Sequence, residues 1–284
     1  MIPASFEYYS PTTLKEALDL LSAREDSKIL AGGQSLVPLM KLRLAKPKCL
    51  VDLSRISGLS YIREQGNSII LGSMTTQAQI EESQLLKNKC PLLPQTATTI
   101  GDVQVRNQGT IGGSLAHADP AGDMPAAILA LGAEMKAIGP RGERWIKAED
   151  FFLGLLTSAL EPEEILTEVK VPVLEGTKTA YLKAAQRASG FAVVGIAVCL
   201  RLDQVGSCRD IRIGVTGVAD TAYRAENVVN MLRGKKLEST LLEKAAAEVT
   251  AGRDVIEDIN GSKEYRSHLA GVYTVRAIQA ALKA

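Results

Sequence analysis

Twice along this chain two adjacent glycines interrupt an apolar stretch. The first pair lies in Leu30-Ala31-Gly32-Gly33-Gln34-Ser35-Leu36-Val37, the second in Thr110-Ile111-Gly112-Gly113-Ser114. A Gly-Gly pair weakens any helix or strand that contains it, so each pair marks a turn or a close backbone approach. What flanks the first pair narrows the options. Thr12-Thr13 offers a cap for an amphipathic helix with Leu14, Ala17, Leu18 and Leu21 on one side. Lys28 to Ala31 reads as a short strand, Leu36 to Leu44 as a helix and Cys49 to Leu53 as a second strand. Helix, strand, glycine turn, helix, strand is an α/β pattern.

The texture changes after Tyr61. Strand-like runs at Ser68–Leu71, Glu134–Ile138 and Ile165–Val173 alternate with helical stretches at Thr76–Ser83 and Pro91–Ile100. The Pro- and Gly-bearing segment from Pro172 to Thr177 reads as a domain boundary. Beyond it come three strand candidates, Thr179–Ala185, Phe191–Leu202 and Asp210–Val218. Three helical runs follow, Arg224–Leu232, Leu237–Val249 and Ser262–Lys283. Strands first and helices after predict a separate α+β unit.

Composition removes several function classes. With 33 basic residues against 32 acidic ones and 4% aromatics, the chain lacks the charge excess and the stacking platforms of a nucleic-acid binder. Its most apolar run, Phe191 to Leu200, is far short of the ~20 residues a membrane span needs. The N-terminus has neither the basic start nor the apolar segment of a signal peptide, so a cytoplasmic protein is expected. Cys49, Cys90, Cys199 and Cys208 form no C-x-x-C pair, so a redox metal is expected on another chain rather than on this one.

The first glycine turn lets a ligand approach the backbone, and N–H groups at the start of the following helix suit an anion such as phosphate. Gln34 and Ser35 add donors without charge. Neither pair belongs to a G-x-G-x-x-G fingerprint or a Walker loop. Two such turns from distant parts of the chain can clamp the two phosphates of a dinucleotide, with Asp123 accepting hydrogen bonds from sugar hydroxyls. The simpler reading of each is a tight turn. His117 reads as a loop histidine bonded to backbone, and His268 as a core residue of the last helix, near Leu269 and Val272.

The run from Ala31 to Arg43, with Val51-Asp52-Leu53 after it, closely resembles the FAD-binding medium subunit of molybdenum hydroxylases, the carbon monoxide dehydrogenase/xanthine dehydrogenase type. Gln104 to Pro120 resembles that family's second signature, and Tyr181-Leu182-Lys183 with Phe191 to Gly195 fits the start of its C-terminal domain. The resemblance implies an α+β fold: an FAD-binding domain over 1–176, made of a small α/β subdomain (about 1–57) and a larger mixed or antiparallel-sheet subdomain (58–176), then a C-terminal domain over 177–284 with a three-stranded sheet and helices. It implies that Leu30, Ala31, Gly32, Gly33, Gln34, Ser35, Leu36 and Val37 wrap the FAD pyrophosphate. Thr110, Ile111, Gly112, Gly113 and Ser114 would hold its other side and part of the ribityl chain. Asp123 would bond a cofactor hydroxyl, and Ile100, Leu166 and Lys183 would lie near the flavin or its entrance. A Cβ at Gly33 is expected to intrude on phosphate space with little cost to the fold.

Many relatives carry an aspartate where this chain has Gly190, and some carry a histidine in place of Gln34. No catalytic residue is expected here. Partner chains, a small [2Fe–2S] subunit and a large molybdopterin subunit, would oxidise substrate, and electrons would pass through FAD to an external acceptor. Two other readings stand beside this one: a self-contained FAD oxidoreductase of the same fold, and a scaffold that has lost FAD.

Overall fold

The computed structural model describes residues 1–284, as three layers of sheet and helix joined in chain order. The first holds β1 (Glu7–Tyr9), α1 (Leu14–Ala23), β2 (Ser27–Leu30), α2 (Leu36–Lys41) and β3 (Cys49–Asp52). The strands form a parallel sheet in the order β1-β3-β2. Thr13 caps α1 by accepting from the Glu16 N–H, and the helix buries Ala17 and Leu21 against Cys49 and Val51. Because β2 is parallel to β3, its C-terminal end opens directly into the Gly32-Gly33 turn, the edge where α/β sheets place ligands.

The second layer contains β4 (Ile62–Gln65), β5 (Ser68–Gly72), α3 (Gln77–Glu82), α4 (Gln84–Lys89), α5 (Leu92–Ala97), α6 (Val103–Gln108), α7 (Ile111–His117) and α8 (Asp123–Leu131). It continues through β6 (Glu134–Gly139), β7 (Gly142–Lys147), the small hairpin β8 (Phe152–Gly154) and β9 (Thr157–Ser158), and β10 (Ile165–Pro172). Five of these strands make an antiparallel sheet in the order β4-β5-β10-β6-β7. The strict alternation of burial along β6 shows one face on the core and one on solvent.

After residues 173–177 come β11 (Lys178–Ala185), β12 (Ala192–Leu202) and β13 (Cys208–Thr216). A two-residue strand β14 (Tyr223–Arg224) precedes α9 (Glu226–Leu232), α10 (Ser239–Ala246) and α11 (Lys263–Lys283). This sheet is antiparallel, β11-β12-β13-β14. The fourth strand takes the first residue of the helix expected from Arg224, because Tyr223 and Arg224 complete the ladder on Val215 and Gly214.

Burial on both faces explains why β12 is almost uninterruptedly apolar. Val194, Ile196, Val198 and Leu200 face α9–α11, while Ala197 and Cys199 face the central core with α8. Helix α8 has all nine residues buried and so no amphipathic period, which hides it from a periodicity search. No helix is long and apolar enough to cross a membrane.

Candidate functional site

The two glycine pairs, eighty residues apart in sequence, meet in space. A Cβ on Gly32 would collide with the Gln108 carbonyl and lie 2.7 Å from Gly109 Cα, so the turn after β2 abuts the end of α6 backbone to backbone. A Cβ on Gly113 would come within 3.5 Å of Ala31 Cβ, and one on Gly109 within 3.7 Å of Gln34 Cγ. The protein itself therefore requires Gly32.

The neighbouring glycines have structural roles too, which corrects two expectations. Gly33 has φ +70, and its Cβ would face Val37 and Leu30 at 3.1 and 3.3 Å, so a valine there strains the backbone rather than merely filling ligand space. Gly112 and Gly113 lie within the first turn of α7 rather than in a loop. A Cβ on Gly112 would fall 2.5 Å from Ser73 Cβ.

Their amides differ in a way the sequence does not show. In the second pair every N–H is used inside the chain. Ile111 donates to Thr75 O (2.9 Å), Gly112 to Ser73 O (2.8 Å), Gly113 to Thr110 Oγ1 (3.1 Å) and Ser114 to Thr110 O (3.0 Å). In the first pair the N–H groups of Gly32, Gly33, Gln34, Ser35 and Leu36 find no acceptor, and Val37 is the first to do so, on Gly33 O at 3.0 Å. Of these residues only Gln34 is exposed. Consecutive half-buried donors with nothing to bond are the backbone's version of an anion cradle. Beside the second pair, Ser73 Oγ and Gln77 Oε1 are buried without a partner.

The remaining predicted residues divide into two groups. Ile100 follows α5 and packs against the central core, and Leu166 is buried on β10 opposite Ala137. Asp123, at the start of α8, and Lys183, on β11, join in a buried ion pair: Lys183 Nζ donates to Asp123 Oδ2 at 3.0 Å and to Gly190 O at 2.6 Å. Tyr181, not singled out in the sequence, donates its hydroxyl to Asp123 Oδ1 at 2.5 Å. Tyr181 and Lys183 are two apart on a strand and so share a face, the one signal that pointed to the tyrosine. Desolvation raises the Asp123 carboxyl, and Lys183 and Tyr181 pull it back down. The Tyr181 phenol is held well above its ordinary range by burial and by the Asp123 charge, so it stays a donor.

Gly190 has φ +74, and a Cβ there would lie 3.5 Å from Gly101 Cα, so the β11–β12 connection closes onto Ile100-Gly101. His117 is the last residue of α7, not a loop residue, and burial lowers its imidazole pKa. His268 is exposed rather than packed. Arg266, two residues earlier, is the buried one, donating to Val193 O, Gly217 O and Asp258. A cavity of about 400 Å³, lined by residues such as Thr12, Gly58, Tyr61, Lys136 and Glu168, includes no residue of either glycine turn.

Residues 4–174 match the FAD binding domain in molybdopterin dehydrogenase, and residues 179–281 match the CO dehydrogenase flavoprotein C-terminal domain. The chain belongs to the molybdenum hydroxylase flavoprotein family. It is 37% identical to the glyceraldehyde dehydrogenase medium chain of Sulfolobus acidocaldarius, over 98% of this chain and 99% of that one. The structure superposes on the carbon monoxide dehydrogenase of Hydrogenophaga pseudoflava that lacks the Mo-pyranopterin moiety of its cofactor. The TM-score is 0.96 at 41% identity, covering 100% of this chain and 99% of that chain. Quinoline 2-oxidoreductase from Pseudomonas putida 86 gives 0.94 at 34% identity, covering 100% and 99%. Family membership makes FAD the cofactor and the chain an oxidoreductase subunit, and the free amides after β2 fit a pyrophosphate.

Proposed function

We propose that this chain is the flavin station of a multi-subunit molybdenum hydroxylase, a heterotrimer in which it sits beside a small [2Fe–2S] subunit and a large molybdopterin subunit. The observation that carries this reading is the run of free N–H groups from Gly32 to Leu36, abutting a second glycine turn within a family-matched fold. Bound there, FAD would supply the redox chemistry, taking electrons from the partner's clusters and yielding them to an external acceptor.

In this reading residues 1–57, 58–176 and 177–284 act as the three structural units. Leu30 to Val37 hold the pyrophosphate through their amides. Thr110 to Ser114, whose amides are already engaged, form the opposite wall and offer the Ser114 hydroxyl. Ile100 and Leu166 supply apolar surface, and Asp123 and Lys183 supply the charged groups. The role of Lys183 follows from chemistry: a cation beside a flavin favours the more negative reduced state. No side chain here is required as a general acid or base. The relatives act on glyceraldehyde, carbon monoxide and quinoline with similar flavoprotein chains, which supports placing substrate choice on the large partner.

Isolation of the full-length chain by an affinity tag from its own cells tests the proposal. The expected preparation contains FAD, iron and molybdenum together with two further subunits. A chain recovered alone, or one whose partners bring no iron and molybdenum, overturns the assignment.

A further inference from the structure

Lys183 has two direct partners, and one of them, Asp123, is itself held by a third group, the Tyr181 hydroxyl. The lysine ammonium donates to Asp123 Oδ2 and to Gly190 O, while the other oxygen of Asp123 is taken by Tyr181. The side chains of Lys183 and Asp123 are 7% and 5% exposed, so neither has bulk water to reorganise around it. Asp123 opens α8, the buried helix of the FAD-binding domain, whereas Tyr181 and Lys183 lie on β11 of the C-terminal domain.

Room for the tyrosine is built in. Gly195 pairs with Lys183 across the β11–β12 ladder, and a Cβ at Gly195 would run into the Tyr181 hydroxyl and approach Thr216 Cγ2 to 2.7 Å. A carboxylate gripped on one oxygen only can turn about its terminal torsion. Gripped on both, it fixes the ammonium that it pairs with.

We propose that Tyr181 is a positioning residue for the flavin site: through Asp123 it fixes the orientation of Lys183, and Gly195 is a glycine so that the tyrosine hydroxyl can reach the carboxylate. The proposal rests on the reading of Lys183 as the cation facing the cofactor. Tyr181 itself touches no cofactor in this scheme. Two of the three Lys183 donors are occupied by protein, which leaves one N–H to be aimed, and the aim is set by Asp123.

The test uses the full chain loaded with FAD, comparing wild type, Tyr181→Phe, Lys183→Met and the double variant. FAD affinity comes from flavin fluorescence titration and the midpoint potential from equilibration with reference dyes. Melting of the flavin-free chain reports on the fold. Tyr181→Phe is expected to bind FAD up to about tenfold more weakly, because a misaligned Lys183 weakens its own charged hydrogen bond to the cofactor, and to show a lower midpoint potential. In the Lys183→Met background the same change is expected to leave the potential where Lys183→Met alone put it. Gly195→Ala, which displaces the hydroxyl but keeps the ring, is expected to lower the potential as well.

A Tyr181→Phe chain with wild-type affinity and potential overturns the proposal while leaving the flavin reading intact. So does a potential shift that persists undiminished without Lys183. If Tyr181→Phe does not fold, an unchanged potential in folded Gly195→Ala overturns it too. A wild-type chain that takes up no FAD overturns the flavin reading itself, and the proposal with it.

Discussion

Gln34 is the residue at which the site can be tested most cleanly. It is exposed, it sits amid the unpartnered amides of Gly32 to Leu36, and no protein group depends on its side chain. Gln34→Glu puts a carboxylate where the backbone favours an anion. The flavin-free protein should be as stable as wild type or slightly more so, because the new charge faces free N–H groups. FAD should bind at least tenfold more weakly, since the carboxylate competes with the pyrophosphate and repels it. Flavin titration and thermal melting measured together check this. Equal FAD affinity would move the phosphate site away from the turn after β2. The glycines themselves are poorer probes, since Gly32, Gly33 and Gly112 are each required by the polypeptide around them. Their pairing alone thus says less about a ligand than their spacing suggests.

At the scale of elements, the site is a junction between the β2–α2 turn and the α6–α7 turn. The α7 N-terminus is tied down by Ser73, Thr75 and its cap Thr110, so it forms a rigid wall, and the β2–α2 turn rests on it. Gly32→Ala inserts a methyl group between the two backbones where Gln108 and Gly109 cannot retreat without distorting α6. The expected cost is about 1–3 kcal/mol of stability, typical of overpacking, together with loss of FAD retention. Urea denaturation and the flavin content of the purified variant test this; an unchanged denaturation midpoint would show that the turns are not pressed together. Sequence reading located β2, β3 and the turn between β2 and α2, because strand pattern and glycine spacing are local signals. It did not locate α6, α7 or α8. Helix α6 buries no residue, α7 opens on a glycine pair that reads as a turn, and α8 is apolar on every side, so none carries an amphipathic period.

Across the whole molecule, the Asp123–Lys183 pair fastens helix α8 to strand β11, sixty residues apart in sequence. Removing one member of a buried pair leaves the other charge without compensation, which is more costly than the pair's own contribution. Asp123→Ala should therefore destabilise the chain by about 3–5 kcal/mol, beyond any effect on FAD. Lys183→Met, which removes the cation but keeps its aliphatic bulk, should cost less if the Asp123 carboxyl takes up a proton; its raised tendency toward the neutral form points that way. Denaturation of the flavin-free variants distinguishes the two, and equal costs would show that protonation does not relieve Asp123. This pairing also gives Asp123 an interior role beyond that of an acceptor for cofactor hydroxyls.

The amino-acid sequence by itself determined the order of units, the glycine turn at a strand end and the family, because each rests on local pattern or on long contiguous signatures. Only the tertiary structure decided which glycine turn offers free amides. That depends on Ser73 and Thr75 reaching the second turn while nothing reaches the first. It also decided that Tyr181 meets Asp123 fifty-eight positions away, and that Arg266 rather than His268 is buried. Hydrogen bonds and ion pairs between distant segments are satisfied by packing geometry, and no spacing along the chain encodes them.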